Sequence, residues 1–291
     1  MRAATNGILL AVIATFFFST SPIFTRLASG LSPAQVTFSR MFGGGLFLLL
    51  FSYVYKMPIT IITFQKRYLI FGIITALHFL FYIWSLYYTS IAHTLVIVYT
   101  APVYVYIYEI IKGYKPTIKE LSGALLAIIG LAILVGFQPE VDLVTITGNV
   151  MAFFSALCLA VYSIVGRKEK DKMALIPYAF WLYMLSSLFL FPFALPTFQI
   201  SLQPIEILSL LGLALLPTAL GHTLYNAALR QIRSFIPSII ATQEVTGGIL
   251  LGIVFLAEIP TTETLVGAII SLAGIITVIY TSHKKVSTKK T

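Results

Sequence analysis

Long apolar runs separated by short polar ones make up almost the whole chain. A helix that crosses about 30 Å of hydrocarbon needs roughly 20 apolar residues. Ten segments fit, at about 7–25, 34–55, 68–88, 93–112, 119–136, 147–166, 174–195, 207–229, 235–257 and 264–281. Within the fourth, Val103-Tyr104-Val105-Tyr106-Ile107-Tyr108 alternates in type as a strand would. A lone strand in lipid leaves its backbone groups unsatisfied, so the pattern predicts helix there as well. The first run is read as a helix rather than a cleaved leader. It lacks a strong basic start and a small-residue cleavage site, and nine further runs follow it.

The second half of the chain echoes the first at an offset of about 144 residues. His78 falls on His222, Leu80 on Leu224 and Ser90 on Ser234. Pro116 and Thr117 fall on Pro260 and Thr261, and Leu121, Gly123, Ala124 and Gly130 on Leu265, Gly267, Ala268 and Gly274. The first and sixth segments align less well, with Arg26 opposite Arg167 the best match. Five helices in each half is an odd number, so the halves must cross the membrane in opposite senses. The expected fold is therefore all-α and integral to the membrane. Two inverted five-helix repeats occupy residues 1–137 and 145–283, with a basic tail at 284–291. Secondary transporters recur to this plan, with the site between the halves near the midplane.

Charge tests the segmentation. With the N-terminus in the cytoplasm, Arg2, Lys56, Lys66, Arg67, Lys112, Lys115, Lys119, Arg167, Lys168, Lys170, Lys172, Arg230, Arg233, Lys284, Lys285, Lys289 and Lys290 all lie inside. That accounts for 17 of the 19 basic residues, the exceptions being Arg26 and Arg40 near the first external loop. The other external loops hold Glu140, Asp142, Glu206, Glu258 and Glu263 and no base. Positive residues favour the cytoplasmic side, so the expected location is the cell membrane, multi-pass, with both termini cytoplasmic. Of the 291 residues 58% are apolar and 10% charged, with a mean hydropathy of +0.95. Soluble domains carry about 25% charged residues, so lipid is the partner that must cover the surface. The net charge of +9 sits in short loops rather than on one face, which argues against nucleic acid. Cys158 is the only cysteine and can form no internal disulfide.

The chain resembles the drug/metabolite transporter superfamily in its EamA branch. The resemblance rests on Ser32-Pro33 leading to Arg40, on Thr89-Ser90-Ile91-Ala92, on Gln243-Glu244-Val245, on Ala257-Glu258-Ile259-Pro260-Thr261, and on Gly267 and Gly274. Order and spacing carry it over nearly the whole chain. Two places depart from the family pattern: Glu244-Val245 stands where Glu-Pro is common, and Gly113-Tyr114 where the half often ends in Gly-Glu. What the resemblance implies is a ten-helix carrier, often an exporter of amino acids or related metabolites.

Few residues can carry chemistry. Glu244 falls near the middle of the ninth segment, where a charged carboxylate costs roughly 2.5–3.5 kcal/mol on insertion scales. Such a group faces a cavity or a partner, and Glu244 is the leading candidate for binding substrate or a coupled proton. His78 and His222 follow, each with a polar residue four positions on, Tyr82 and Asn226. Tyr99 and Tyr106 share a helical face, as do Ser155 and Tyr162, and Tyr99 and Tyr162 are further candidates for a ligand wall. Each of these has a plainer reading in helix packing. Pro102 and Pro217 are expected to kink their helices, Arg40 to hold an external helix end or bind a carboxylate, and Glu258 to belong to a turn capped by Thr261 or Thr262. Small residues at Gly123, Ala127 and Gly130, and at Gly267, Ser271 and Gly274, allow close contact, either between these two helices or across a homodimer.

No Cys, Asp or further His completes a metal site, and no Walker loop is present, so no cofactor is implied. The leading function is a secondary carrier of a small organic metabolite, one buried acid suiting an amine. A membrane-embedded enzyme would need a convergent catalytic set, and no such spacing occurs; a channel or helper subunit is the remaining alternative. The topology is checked by single cysteines at positions 142 and 170 in a Cys158→Ser background. They are expected to label from opposite sides of the membrane, position 170 only from the cytoplasm, and labelling from one side would refute the ten-segment count.

Overall fold

The computed structural model describes residues 2–59, 66–89, 91–135, 142–256 and 262–288, and every regular element among them is helical. In chain order these are α1 (Arg2–Phe18), α2 (Ser21–Leu27), α3 (Pro33–Val54), α4 (Lys66–Tyr88), α5 (Ile91–Val98), α6 (Ala101–Ile111), α7 (Ile118–Val135), α8 (Leu143–Lys168), α9 (Leu175–Ala194), α10 (Pro204–Leu213), a π-helical stretch (Ala214–His222), α11 (Thr223–Gln231), α12 (Phe235–Ala241), α13 (Glu244–Leu256) and α14 (Thr262–Thr288). Each expected apolar segment is occupied by helix. Val103–Tyr108, the strand-like run, lies inside α6. Seven helices among the described residues are long and apolar enough to cross a membrane, from Thr5–Leu27 to Pro204–Gln231. Ser90, Glu140, Ala257 to Thr261, Lys289 and Lys290 lie outside the described residues.

Local chemistry explains the ends. Ser32 caps α3 by accepting from the Gln35 N–H at 3.2 Å, with Pro33 in the first turn. Asp142 caps α8 through the Thr145 N–H at 2.7 Å, a bond that holds this exposed carboxyl below its usual pKa. Thr117 and Glu120 form a reciprocal capping box at the start of α7. Where α6 ends, Gly113 takes a φ of +88°, and the Tyr114 and Gly113 amides return to the Glu109 and Ile110 carbonyls. This is a Schellman turn, which glycine enters without a Cβ penalty.

The bundle is inside-out relative to a soluble one. Leu9, Phe16, Leu50, Ile269 and Ile276 are exposed, while Arg40, His78, His222, Asn226 and Glu244 are buried. A broad apolar exterior is what lipid requires. The protein is a multi-pass membrane protein on this evidence.

Packing pairs the elements in a regular way. α4 lies on α8 as α1 lies on α11; α4 meets α9 as α3 meets the π-helical stretch; α5 and α6 meet α8 as α12 meets α1; α3 packs on α9 and α7 on α14. Exchanging the first five segments for the last five maps this set of contacts onto itself. The small-residue stripes are used between α7 and α14. A Cβ on Gly274 would lie 2.6 Å from the Gly123 carbonyl oxygen, and one on Gly130 would lie 2.8 Å from that of Gly267. Backbones this close leave no room for a side chain. Gly130→Leu is accordingly expected to destabilise by about 1–3 kcal/mol, the usual range for overpacking. The exposed Ser122→Leu should be near neutral, and thermal midpoints of the two variants in detergent check the difference.

Candidate functional site

Three helix breaks converge on one buried cavity. α1 gives way to α2 at Ser19-Thr20, α5 to α6 at Tyr99-Thr100, and α12 to α13 at Thr242-Gln243. Pro22 and Pro102 stand in the first turns after the first two breaks, where a missing N–H does no harm. Ser21, Tyr99, Ala101, Ala241 and Glu244 line the cavity from these breaks. Its free volume is about 30 Å³, room for about two waters.

Glu244 is the first residue of α13, not the interior residue that periodicity placed mid-helix. The break puts its carboxylate at a half-helix N-terminus, where the backbone dipole favours negative charge. Tyr82 donates to its Oε1 at 2.9 Å and Tyr99 donates to its Oε2. It is 7% exposed.

Of the two expectations for Arg40, an external helix end or a carboxylate site, the structure goes against the first. It does not hold an external helix end: it is 1% exposed and lines the same cavity as Glu244. Its Nη1 donates to Ser21 Oγ at 3.0 Å, its Nε to Thr218 Oγ1 at 2.8 Å, and its guanidinium lies 4.5 Å from the Phe79 ring centroid. Thr218 is available for a definite reason. Pro217 has no N–H, which frees the Leu213 carbonyl four residues back. The chain answers with the π-helical stretch, and the Thr218 hydroxyl closes the gap by donating to Leu213 O at 2.7 Å. Its lone pair then accepts from Arg40. Arg40 and Glu244 form no ion pair with each other. The signal that could have found Arg40 was its position as a base inside an apolar segment, which is costly unless used.

The two histidines come together. His78 and His222 ring centroids lie 6.5 Å apart, and both line the cavity. Ser155 Oγ donates to the His78 carbonyl at 3.0 Å, so His78 Nδ1 is best read as the protonated nitrogen, facing Ser155 O at 3.1 Å and Oγ at 2.9 Å. His222 stacks among Phe18, Phe79 and Tyr162, and its Nδ1 has no protein partner. Tyr162 and Asn226 are bonded to each other behind His222, Asn226 also donating to His222 O at 2.8 Å; neither lines the cavity. Tyr106, expected on the face of Tyr99, is turned away by the break and stacks on Phe235 at 4.3 Å. Phe18, Ser21, Phe79, Tyr225 and Ser238 are wall residues that the sequence pattern did not single out. Among the described residues no cluster of His, Cys, Asp or Glu could hold a metal ion.

Comparison with known proteins bears on this arrangement. The chain matches the EamA-like transporter family over residues 5–136 and again over 146–280. It belongs to the EamA-like transporter family. An uncharacterized transporter of Archaeoglobus fulgidus is 25% identical over 94% of this chain and 97% of its own length. A second uncharacterized transporter of that organism is 26% identical over 66% of this chain and 68% of its own. One solved crystal structure superposes with a TM-score of 0.80 over 95% of this chain and 98% of that one, at 17% identity. At that identity the likeness speaks for the fold alone.

Thr218 ties the π-helical stretch of this EamA-like chain to its buried arginine. Thr218→Val removes two hydrogen bonds, one of them to a charged group, and should cost about 2–3 kcal/mol. Thr218→Ser should restore most of it. Thermal midpoints in detergent read both, and equal midpoints for valine and serine would break the link.

Proposed function

We propose that the protein is a secondary carrier of small zwitterionic metabolites, amino acids or related amines, exporting them by alternating access between two inverted five-helix halves. On this reading ten helices cross the cell membrane, residues 1–137 and 145–283 form the halves, and both termini and the basic tail are cytoplasmic. Family membership, the self-mapping set of helix contacts and the one-sided distribution of basic residues support it.

One observation carries the substrate class. Two opposite charges, Arg40 and Glu244, are buried in the wall of one cavity without an ion pair between them, and neutral hydroxyls satisfy each. A substrate carboxylate can replace the hydroxyls as acceptor for Arg40, and a substrate ammonium can replace the tyrosines as donor to Glu244. Both exchanges turn a hydrogen bond with one charged partner into one with two, a carboxylate on the guanidinium and an ammonium on the carboxylate. A ligand bearing one charge would leave the other without gain. His222 Nδ1, buried and unpartnered, offers one more polar contact at the same wall. A proton on Glu244 would serve as the alternative cargo for the carboxylate, coupling transport to a gradient.

Family membership and the transporter-named relatives favour transport over the enzyme alternative. Ser155, the hydroxyl nearest a histidine, gives its proton to a backbone carbonyl and is no nucleophile.

The test is counterflow in proteoliposomes. Vesicles loaded with a zwitterionic amino acid should accumulate labelled amino acid, while a matched amine without a carboxylate and a matched acid without an amine should not exchange. Glu244→Gln keeps size and hydrogen bonding but cannot titrate. It is expected to reach the membrane and lose gradient-driven transport or its pH dependence, with Glu244→Asp retaining part. A glutamine variant with normal rate and unchanged pH profile would make Glu244 a packing residue.

A further inference from the structure

Every ion pair among the described residues lies at the basic end of the bundle, and the most buried set joins the two halves. Arg233, between α11 and α12, donates through Nη2 to Glu109 Oε2 at 2.7 Å and through Nη1 to Glu120 Oε1 at 3.0 Å. Its guanidinium lies 3.3 Å from the centroid of the Tyr114 ring, and the Tyr114 hydroxyl donates to Glu120. The Phe235 amide donates to Glu109 Oε1 at 3.1 Å. Glu120 is fully buried while also completing the capping box of α7. Glu109, Tyr114 and Glu120 belong to the first half, Arg233 and Phe235 to the second. A second link lies nearby, where Tyr68 donates to Glu169 at 3.3 Å and Arg67 approaches it at 3.8 Å, joining α4 to the end of α8.

A polar track leads from the cavity to this cluster. The Tyr225 hydroxyl, in the cavity wall, meets Ser163 Oγ at 2.8 Å and Ser238 Oγ at 2.9 Å. Ser238 donates to Ser234 O, and Ser234 donates to Ser163 O at 3.3 Å. Ser234 is the neighbour of Arg233. Serine and tyrosine hydroxyls in an apolar bundle can be wetted when the helices part, and the ion cluster stands where that path would reach the basic surface.

The opposite end is built differently. Among the described residues the hydrogen bonds between the halves there join neutral groups, Gln35 exchanging with the Gln199 backbone at 2.8 and 3.0 Å and Thr197 donating to Ser32 Oγ at 2.7 Å, while the acid beside them, Glu206, packs on Gly30 and accepts from the Gln203 amide at 2.8 Å. The repeat shows why no ion cluster matches. At the offset of 144 residues Thr89 stands where the second half has Arg233, Ile253 where the first has Glu109, and Thr264 where the first has Glu120. The base and both acids are missing by residue type, so the inverted partner of this cluster cannot form.

We infer that Arg233, with Glu109, Glu120 and Tyr114, is a latch that holds the cytoplasmic end of the transport path shut, so that the unloaded protein rests closed on that side. The inference depends on the proposed topology and carrier function. A buried ion cluster adds little net stability, because desolvating its charges offsets their attraction. Removing one partner, however, strands the others. Such a cluster therefore acts on which state is populated. Neutral contacts at the outer end impose no comparable barrier, and the two ends open unequally.

The experiment reads accessibility without substrate. Ser238→Cys, in a Cys158→Ser background, reports from the polar track, and Thr25→Cys reports from the outer end of α2. Inside-out vesicles receive a membrane-impermeant maleimide. With the latch intact Ser238→Cys should label slowly. Arg233→Gln or Glu109→Gln should speed it by roughly tenfold, within the range of couplings carried by such contacts. Arg233→Lys, which keeps the charge and loses the fork, should fall between. Labelling of Thr25→Cys by the same reagent in right-side-out vesicles should not rise. Unchanged Ser238→Cys rates in both charge-removing variants, each monodisperse in detergent, would overturn the latch, as would equal acceleration at the two ends, which means general loosening. If Arg233→Gln does not fold, Glu109→Gln carries the test alone. Because no substrate is involved, a negative result here leaves the carrier reading standing, and a failed counterflow assay leaves the latch standing.

Discussion

Arg40 and Glu244 are buried in the wall of one cavity, in the interior of a bundle whose outer surface is apolar, and they form no ion pair. Each would be costly there alone, and direct pairing is the simplest way to lower the cost. This fold instead supplies both with hydroxyls, and much of the local architecture follows. Thr218 can serve Arg40 because Pro217 disturbs its helix into a π-turn. Tyr99 can reach Glu244 because α5 and α6 are separate helices, and Glu244 heads a helix because α12 and α13 are separate too. The breaks and the π-turn thus provide the polar groups that keep two opposite charges apart.

Much of the fold is legible in the sequence. In lipid a helix must satisfy its own backbone, so length and hydropathy alone mark the segments, and the described residues of each expected run are helical apart from their ends and the breaks at 19–20, 99–100 and 242–243. The His78 and His222 match, read from the repeat, corresponds to rings that meet across the cavity. Glu244, Tyr82 and Tyr99 also come to that wall. What could not be read was where helices stop inside an apolar run. Thr242-Gln243 and Tyr99-Thr100 look like ordinary helical residues, and a break there rotates everything after it. That is why Tyr106 turned away from Tyr99 and why Glu244 is a terminal rather than an interior residue. The anchor expectation for Arg40 fails for a related reason. Its nearness to an expected loop suggested an external anchor, but α3 begins at Pro33, so Arg40 lies two turns inside and faces inward. Asn226 and Tyr162 show the converse. Spacing put Asn226 on the face of His222 and Tyr162 on that of Ser155, yet the two bond each other and stand behind His222.

The same asymmetry runs through the site and the ends of the bundle. An internal repeat alone would make two equivalent gates, and the helix contacts do map onto themselves when the halves are exchanged. Charge departs from that symmetry. Glu244 has Thr100 at the matching position of the first half, and Arg233 has Thr89. A symmetric pair of gates would spend equal time open on either side, and cargo would follow its own gradient in both directions alike. Unequal gates change the resting population and so the side from which the cavity is first reached. On the proposed carrier reading, binding works against the proposed latch only to the extent that cargo holds the cytoplasm-facing state more tightly than the other. A dipolar ligand that bridges Arg40 in α3 to Glu244 in α13 is suited to that, since it draws a helix of each half toward the other in the cavity wall. Directional bias in such a carrier can come from a few charged side chains placed on one end of an otherwise symmetric scaffold, with the repeat supplying the motion and the departures from the repeat supplying its preferred sense.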